Sequence, residues 1–373
     1  MKARVMIQTG DRRLEMAEHE VPRVGADEGL LRVEACGLCG SDVEQYKGRF
    51  TQKGIVRYPV IPGHEPIGII HEIGAEASRN WGVKKGDRVA LEPHLTCGTC
   101  QVCLGGRYHL CRALFPVTTL TNPAYGFLSA DFGHGLWGGY GEFIHLHRRT
   151  IMHKLPASLP LSVATLYQAI AAGVRWSVHV PESSFGDTVL ILGCGQRGLG
   201  SVLACASAGV RTIIVTGLAR DRFKLELARA LGAHHTIEAD REDTVARVME
   251  ITGHRGADIA VDVTPAATQP INDAINAVRA GGTVVLAGVK GGQSRVSIDS
   301  DQVVMREISL RGVFSQGSRA YEQALDLIAR NVERLKPMHT HEFPLAEAAT
   351  AIETLAGERA GEDAICVSIH PGA

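Results

Sequence analysis

The sequence predicts an α/β protein in which a β-rich domain is followed by a doubly wound, parallel-sheet domain, and three observations predict it. Short apolar runs punctuated by glycine fill the first part of the chain. From Asp187 onward, strand-like runs alternate with helix-like ones, the signature of βαβ units. A G-x-G-x-x-G turn stands at the first strand-to-helix junction of that alternation.

At 373 residues the chain is long enough for two or three domains and their cores. Strands are expected over residues 31–35, 67–70 and 87–91. After Leu155-Pro156 the texture changes, and residues 162–174, free of glycine until Gly173, suit a buried helix. We place a domain boundary near residue 157. Beyond it come strand 188–192, helix 198–208, strand 212–215 and helix 222–231. Further buried strands follow at 257–262 and 282–288, for roughly six in all. The last stretch holds an amphipathic helix at 320–330 and a terminal strand at 364–369.

Hydrophobic residues make up 45% and charged residues 21%, a globular profile rather than a disordered one. The 39 Lys and Arg against 40 Asp and Glu leave a net charge of -1, so no global field draws the chain to nucleic acid or an acidic membrane. A small-molecule partner is expected. No apolar stretch resembles a signal peptide or a membrane span, and the cytoplasm is the default location. Nine cysteines, four of them crowded into residues 97–111, suit metal binding in a reducing compartment better than a disulfide framework.

The turn Gly193-Cys194-Gly195-Gln196-Arg197-Gly198 follows a strand and opens a helix. Its glycines allow a tight turn, close approach of a pyrophosphate and packing of helix on sheet, and the helix N-terminus favours the phosphate charge. This is a dinucleotide-binding Rossmann loop. Where the second strand ends, Gly217 stands in the place expected for the carboxylate that binds the NAD ribose. With Arg220 and Arg222 nearby as counter-charges, the balance between NAD and NADP tilts slightly to NADP. The plainer alternative makes both arginines solvated residues of a helix start.

Cys97, Cys100, Cys103 and Cys111 offer four thiolates with Gly98, Gly105 and Gly106 between them. Four cysteines close every position on zinc, so the expected role is structural, in a lobe of about residues 94–115. An iron-sulfur cluster or a nucleic-acid zinc ribbon uses similar spacing. The basic residues of the lobe are few.

Cys39, in Cys39-Gly40-Ser41-Asp42, and His64, in Gly63-His64-Glu65, are weak metal signals taken singly, since lone cysteines and histidines are mostly core residues. Together with Gly138-Gly139-Tyr140-Gly141-Glu142-Phe143, the cysteine lobe, the nucleotide loop and the run 281–288, they resemble the zinc-dependent alcohol dehydrogenases of the medium-chain dehydrogenase/reductase family, near its sorbitol and threonine dehydrogenase branch.

The resemblance spans nearly the whole chain. It implies a GroES-like catalytic domain at 1–157, a Rossmann domain at 158–300, a segment 301–373 returning to the catalytic domain, and a homodimer or homotetramer. It further implies that Cys39 and His64 hold a catalytic zinc, that Ser41 passes the alcohol proton, that Asp42 orients His64, and that Glu65 is an exchangeable ligand. Zinc held by three protein ligands keeps a position open for the alcohol oxygen.

Two departures stand out. Gln168 occupies the place of a further Cys, Glu or Asp ligand, and Glu44 that of a His ending the proton relay. Phe50, Phe115 and Trp137 are candidate pocket walls. The expected function is hydride transfer between a secondary alcohol or polyol and NAD(P), with a zinc-free reductase of activated double bonds, or a catalytically silent dinucleotide sensor, as alternatives.

Overall fold

The computed structural model describes residues 1–112, 123–291 and 294–372. Its strands are β1 (Lys2–Gly10), β2 (Arg13–Glu20), β3 (Gly29–Gly37), β4 (Glu65–Ile73), β5 (Arg88–Leu91), β6 (Phe143–Leu146) and β7 (Met152–Lys154). There follow β8 (Thr188–Leu192), β9 (Thr212–Gly217), β10 (His235–Glu238), β11 (Ala257–Asp262), β12 (Val278–Leu286), β13 (Ser309–Gly312), β14 (His339–Pro344) and β15 (Cys366–His370).

The chain forms two compact units, one of residues 1–167 with 339–373 and the other of residues 168–338. These limits differ from the expected 157 and 300. The helix expected at 162–174 is two helices, Leu161–Ala164 and Tyr167–Val174, and the unit limit falls at the start of the second. Residues 301–338 stay with the second unit, because β13 completes its parallel sheet. The segment from His339 onward, with β14, helix Ala348–Leu355 and β15, returns to the first.

In the first unit, β1 and β2 make a hairpin, and a mixed sheet runs β14-β15-β3-β4-β5-β7 with β6 also on β3. Strand β3 alternates apolar side chains and buries nearly all of them, so it lies at the middle of the sheet. A core of Leu31, Val33, Ile70, Val89, Leu91, Tyr125 and Trp137 packs against one part of it. Trp137 is thus core rather than a pocket wall, 3% exposed with its indole N–H donated to the Phe132 carbonyl. Phe115 lies outside the described residues.

In the second unit, the sheet runs β10-β9-β8-β11-β12-β13, all parallel. The order reverses at β8, the first strand, with β9 on one side and β11 on the other. Ligands of doubly wound sheets bind beyond the strand ends at such a switch point. Every residue of β8 and of β11 is buried, as strands covered on both faces require. Among the described residues, no helix is long and apolar enough to cross a membrane.

Candidate functional site

Residues 39 and 64 meet because of strand register. β3 pairs antiparallel with β4 so that Gly37 lies opposite Glu65. The turn leaving β3 and the turn entering β4 are therefore neighbours, and they carry Cys39 and His64. Ligand atoms of Cys39, His64 and Glu65 lie within 4.8 Å of one another. Gly63 adopts φ +91°, and a Cβ there would meet the Tyr140 ring at 2.4 Å and the Cys36 sulfur at 2.9 Å. Only glycine fits. The turn is pinned by Gly139 N–H to the Gly63 carbonyl at 2.8 Å and Tyr140 N–H to the Pro62 carbonyl at 3.0 Å.

Helix Gly40–Tyr46 starts at Cys39, and Asp42 in its first turn accepts the Cys39 N–H through Oδ2 at 2.8 Å. Its other oxygen, Oδ1, lies 3.5 Å from His64 Nδ1. His64 Nε2 faces the opposite way, 3.2 Å from Ser41 Oγ and 3.7 Å from Glu65 Oε1. Nε2 thus faces Ser41 and Glu65, while Nδ1 is directed at a carboxylate, the usual second contact of a metal-bound imidazole. Burial alone lowers the His64 pKa, but the Asp42 carboxylate and the Cys39 sulfur outweigh it and hold the ring well above its ordinary value.

Asp42 is 2% and Glu65 1% exposed, two buried carboxylates beside one imidazole and one thiol. Among the described residues, Asp42 Oδ1 makes no hydrogen bond closer than its 3.5 Å approach to His64 Nδ1. Buried anions in excess of buried cations are costly unless a cation joins them. Thiolate, imidazole and carboxylate together make a donor set that suits zinc.

Two neighbours were not expected as site residues. Tyr140 is fully buried, its hydroxyl without a hydrogen-bond partner among the described residues, and its pKa is pushed up by burial and then by Asp42, Cys36 and Glu65. Phe127 lies 5.2 Å from the His64 ring and 6.0 Å from Phe50, which keeps Phe50 as a wall near the site. Glu44 is engaged by Arg49 at 2.8 and 2.9 Å. Gln168, 2% exposed, opens the second unit, while Tyr167 before it donates to the Leu91 carbonyl at 2.7 Å.

The four-cysteine lobe is a closed cluster. Sulfur separations are 3.4 Å for Cys100–Cys103, 3.5 Å for Cys97–Cys111, and 3.8 Å for Cys97–Cys103 and Cys100–Cys111. Four sulfurs at ~2.3 Å from zinc in a tetrahedron stand ~3.8 Å apart. Backbone N–H groups of Thr99 and Cys100 point at Cys97 Sγ from 3.4 and 3.3 Å, and lower its pKa to about 5. Tyr108, within the lobe, donates to buried Glu92 at 2.5 Å, and Glu92 holds His153 at 2.8 Å, which ties the lobe to the sheet.

In the second unit Gly193 has φ +107°, and its N–H meets the Thr216 carbonyl and hydroxyl, each at 3.2 Å. A Cβ on Gly198 would stand 1.9 Å from the Gly193 carbonyl oxygen, whereas one on Gly195 would meet nothing within 4 Å. Gly198 serves the close packing and Gly195 leaves room for a ligand. Helix Gln196–Ser207 begins here, and Arg197 lies 5.8 Å over the Trp176 ring.

A Cβ on Gly217 would meet Cys194 Sγ at 2.6 Å, so packing excludes a carboxylate there. Arg222 is held by Glu238 at 2.7 and 2.9 Å. That leaves Arg220, which is exposed. Also unexpected is the wholly buried Asp262 at the end of β11, paired with Lys290 at 2.7 Å.

Residues 25–157 match the alcohol dehydrogenase GroES-like domain and residues 198–330 the zinc-binding dehydrogenase domain. A Mycobacterium tuberculosis protein named a probable alcohol dehydrogenase is 39% identical over 96% of this chain and 95% of its own length. The sorbitol dehydrogenase of Bacillus subtilis is 31% identical over 95% of this chain and 93% of its own. Among solved structures, an alcohol dehydrogenase of Thermotoga maritima superposes with a TM-score of 0.86 at 26% identity, covering 99% of both chains. A protein of Sinorhizobium meliloti described as a zinc-binding dehydrogenase and bound to NADP gives 0.82 at 26%, covering 100% of both.

Proposed function

Because this chain belongs to the zinc-dependent medium-chain alcohol dehydrogenase family, we propose that Cys39, His64 and Glu65 hold its catalytic zinc and that Ser41 takes the substrate proton. It is an NAD(P)-dependent oxidoreductase acting on alcohols or polyols and their carbonyl partners. The observation that carries the proposed site is the meeting of a thiolate, an imidazole and a carboxylate at the β3/β4 register point.

When bound, zinc supplies a Lewis acid for the substrate oxygen, and the nicotinamide accepts or donates the hydride. The protein's residues do the rest. Asp42 fixes the His64 tautomer through Nδ1 and holds the Cys39 turn through its backbone N–H. Ser41 Oγ, beside His64 Nε2, gives the alcohol proton its first acceptor. Phe127 and Phe50 wall the imidazole on an apolar side, which limits water. Gln168 contributes an amide oxygen at most, so Glu65 is the third ligand. Cys97, Cys100, Cys103 and Cys111 bind the structural zinc.

The glycine loop Gly193, Gly195, Gln196, Arg197 and Gly198 cradles the pyrophosphate, with NADP favoured because Gly217 brings no carboxylate to repel a 2'-phosphate and exposed Arg220 pairs with it. Arg222, already committed to Glu238, contributes less. The chain works as a homodimer or homotetramer. Supporting this, β13 is an edge strand of the second unit with all four residues exposed, near exposed Val304, Met305 and Phe314. The cytoplasm, which keeps thiols reduced, suits the free cysteine cluster.

The test is a panel of secondary alcohols and polyols with NAD and with NADP, read at the reduced-nicotinamide absorbance. Turnover with at least one alcohol, faster with NADP, is expected; no turnover with any of them defeats the reading.

A further inference from the structure

The geometry points to a third metal site in this chain, free of sulfur, formed by His339 and Glu342 of β14 with His370 of β15 and suited to a borderline divalent cation such as zinc or nickel. It owes nothing to the two cysteine-bearing clusters, and it depends on an irregularity of the sheet.

In a regular strand, residues three apart point to opposite faces. Here the β14–β15 register shifts between His339 and His341, so that His339 lies opposite Cys366 and Glu342 opposite Ser368. Cys366, Ser368 and His370 alternate along one face of β15, and the shift brings His339 and Glu342 to that same face. Imidazole, carboxylate and imidazole are thereby gathered from two parallel strands, and their ligand atoms lie within 4.8 Å of one another.

The rings are held in place. Ser368 is fully buried, and its Oγ lies 2.8 Å from His339 Nε2 and 2.8 Å from His370 Nε2. One hydroxyl thus fixes both imidazoles, in the way that outer partners orient metal-binding histidines. On its other side, His339 Nδ1 faces Glu342 Oε1 at 3.6 Å. Tetrahedral ligands bound at ~2.0–2.2 Å stand roughly 3.3–3.6 Å apart, so the cluster must tighten by about 1.5 Å at most. The Glu342 side chain, 56% exposed, is free to move that far.

Two imidazoles with one carboxylate favour zinc, nickel or copper over magnesium and calcium, which require more oxygen ligands. Water completes the shell on the exposed Glu342 side, which makes the site an exchangeable one. Bound there, the cation joins β14 to β15, the strand that pairs with β3 at Gly37, two residues before Cys39.

The test is calorimetric titration of the full-length enzyme carrying two zinc equivalents, one for each cysteine-bearing cluster, with nickel chloride, comparing the parent with Glu342→Gln and His370→Asn, alongside absorption spectra. One nickel equivalent is expected to bind the parent without thiolate-to-nickel charge-transfer bands, and to bind each variant at least about tenfold more weakly. Glu342 is exposed, so Glu342→Gln keeps the test valid even if His370→Asn misfolds. No uptake by the parent, equal affinity in Glu342→Gln, or uptake that brings thiolate bands overturns the proposal.

Discussion

The two cysteine-bearing clusters of the first unit are built in opposite ways. The lobe draws four sulfurs from one short stretch of chain, and turns at Gly98 and Gly106 wrap it locally. The other cluster takes Cys39 and His64 from two turns that only the pairing of β3 with β4 brings together. A locally wrapped, all-cysteine shell is saturated and can only organise structure. A shell assembled by the sheet from three residues stays open, and its geometry inherits the rigidity of the core beneath it.

Substitutions should separate the two. The largest effect is expected from Cys39→Ser or His64→Ala: loss of a metal worth several kcal/mol to the transition state lowers kcat by about 10³-fold or more, with the unfolding midpoint little changed. Cys100→Ser should do the reverse. It lowers the unfolding midpoint by roughly 5 °C or more while turnover per folded chain stays near the parent's. If Cys100→Ser abolished turnover in fully folded protein, the contrast between a structural and a chemical cluster would fail.

A smaller loss tests the support around the open cluster. Asp42→Asn should weaken zinc binding by about 10–100-fold. It should also change the pH dependence. Although burial opposes it, the Asp42 carboxylate holds the His64 pKa well above its ordinary value, so zinc must displace a proton from the metal-free ring. Zinc affinity should therefore fall as pH drops, and this fall should lie at lower pH in Asp42→Asn. Equilibrium zinc titrations at several pH values check both points. The smallest effect belongs to the second unit, where Arg220→Ala should reduce the preference for NADP over NAD by about tenfold, the loss of one charge-assisted contact. Initial rates with each cofactor measure it.

The same contrast explains how much was legible in the sequence. The lobe and the nucleotide loop could be read directly because spacing alone sets their geometry. Cys39 and His64 could be found only through their motifs, since nothing local shows that Gly37 faces Glu65. Tyr140, beside Gly63 and Glu65, and Phe127, beside His64, escaped because their places depend on tertiary packing. Trp137, read as a pocket wall, packs into the core with Leu31, Val89 and Tyr125 while its N–H reaches the Phe132 carbonyl. Arg222 looked available for a phosphate, but Glu238 on the neighbouring strand β10 claims it. The histidines of β14 and β15 could not have been grouped from sequence, because a shift of strand register decides which face they share.

The central claim is that the open cluster, and not the closed one, carries the chemistry. Stepwise chelation of the zinc-loaded enzyme, following zinc content and alcohol oxidation together, tests it most directly in the parent and in Glu342→Gln, which weakens the β14–β15 site. The account predicts that activity falls in proportion to one readily removed equivalent, returns when zinc is restored, and is absent from Cys39→Ser holding a full structural site. Undiminished turnover after that equivalent is gone, or in Cys39→Ser, would contradict it.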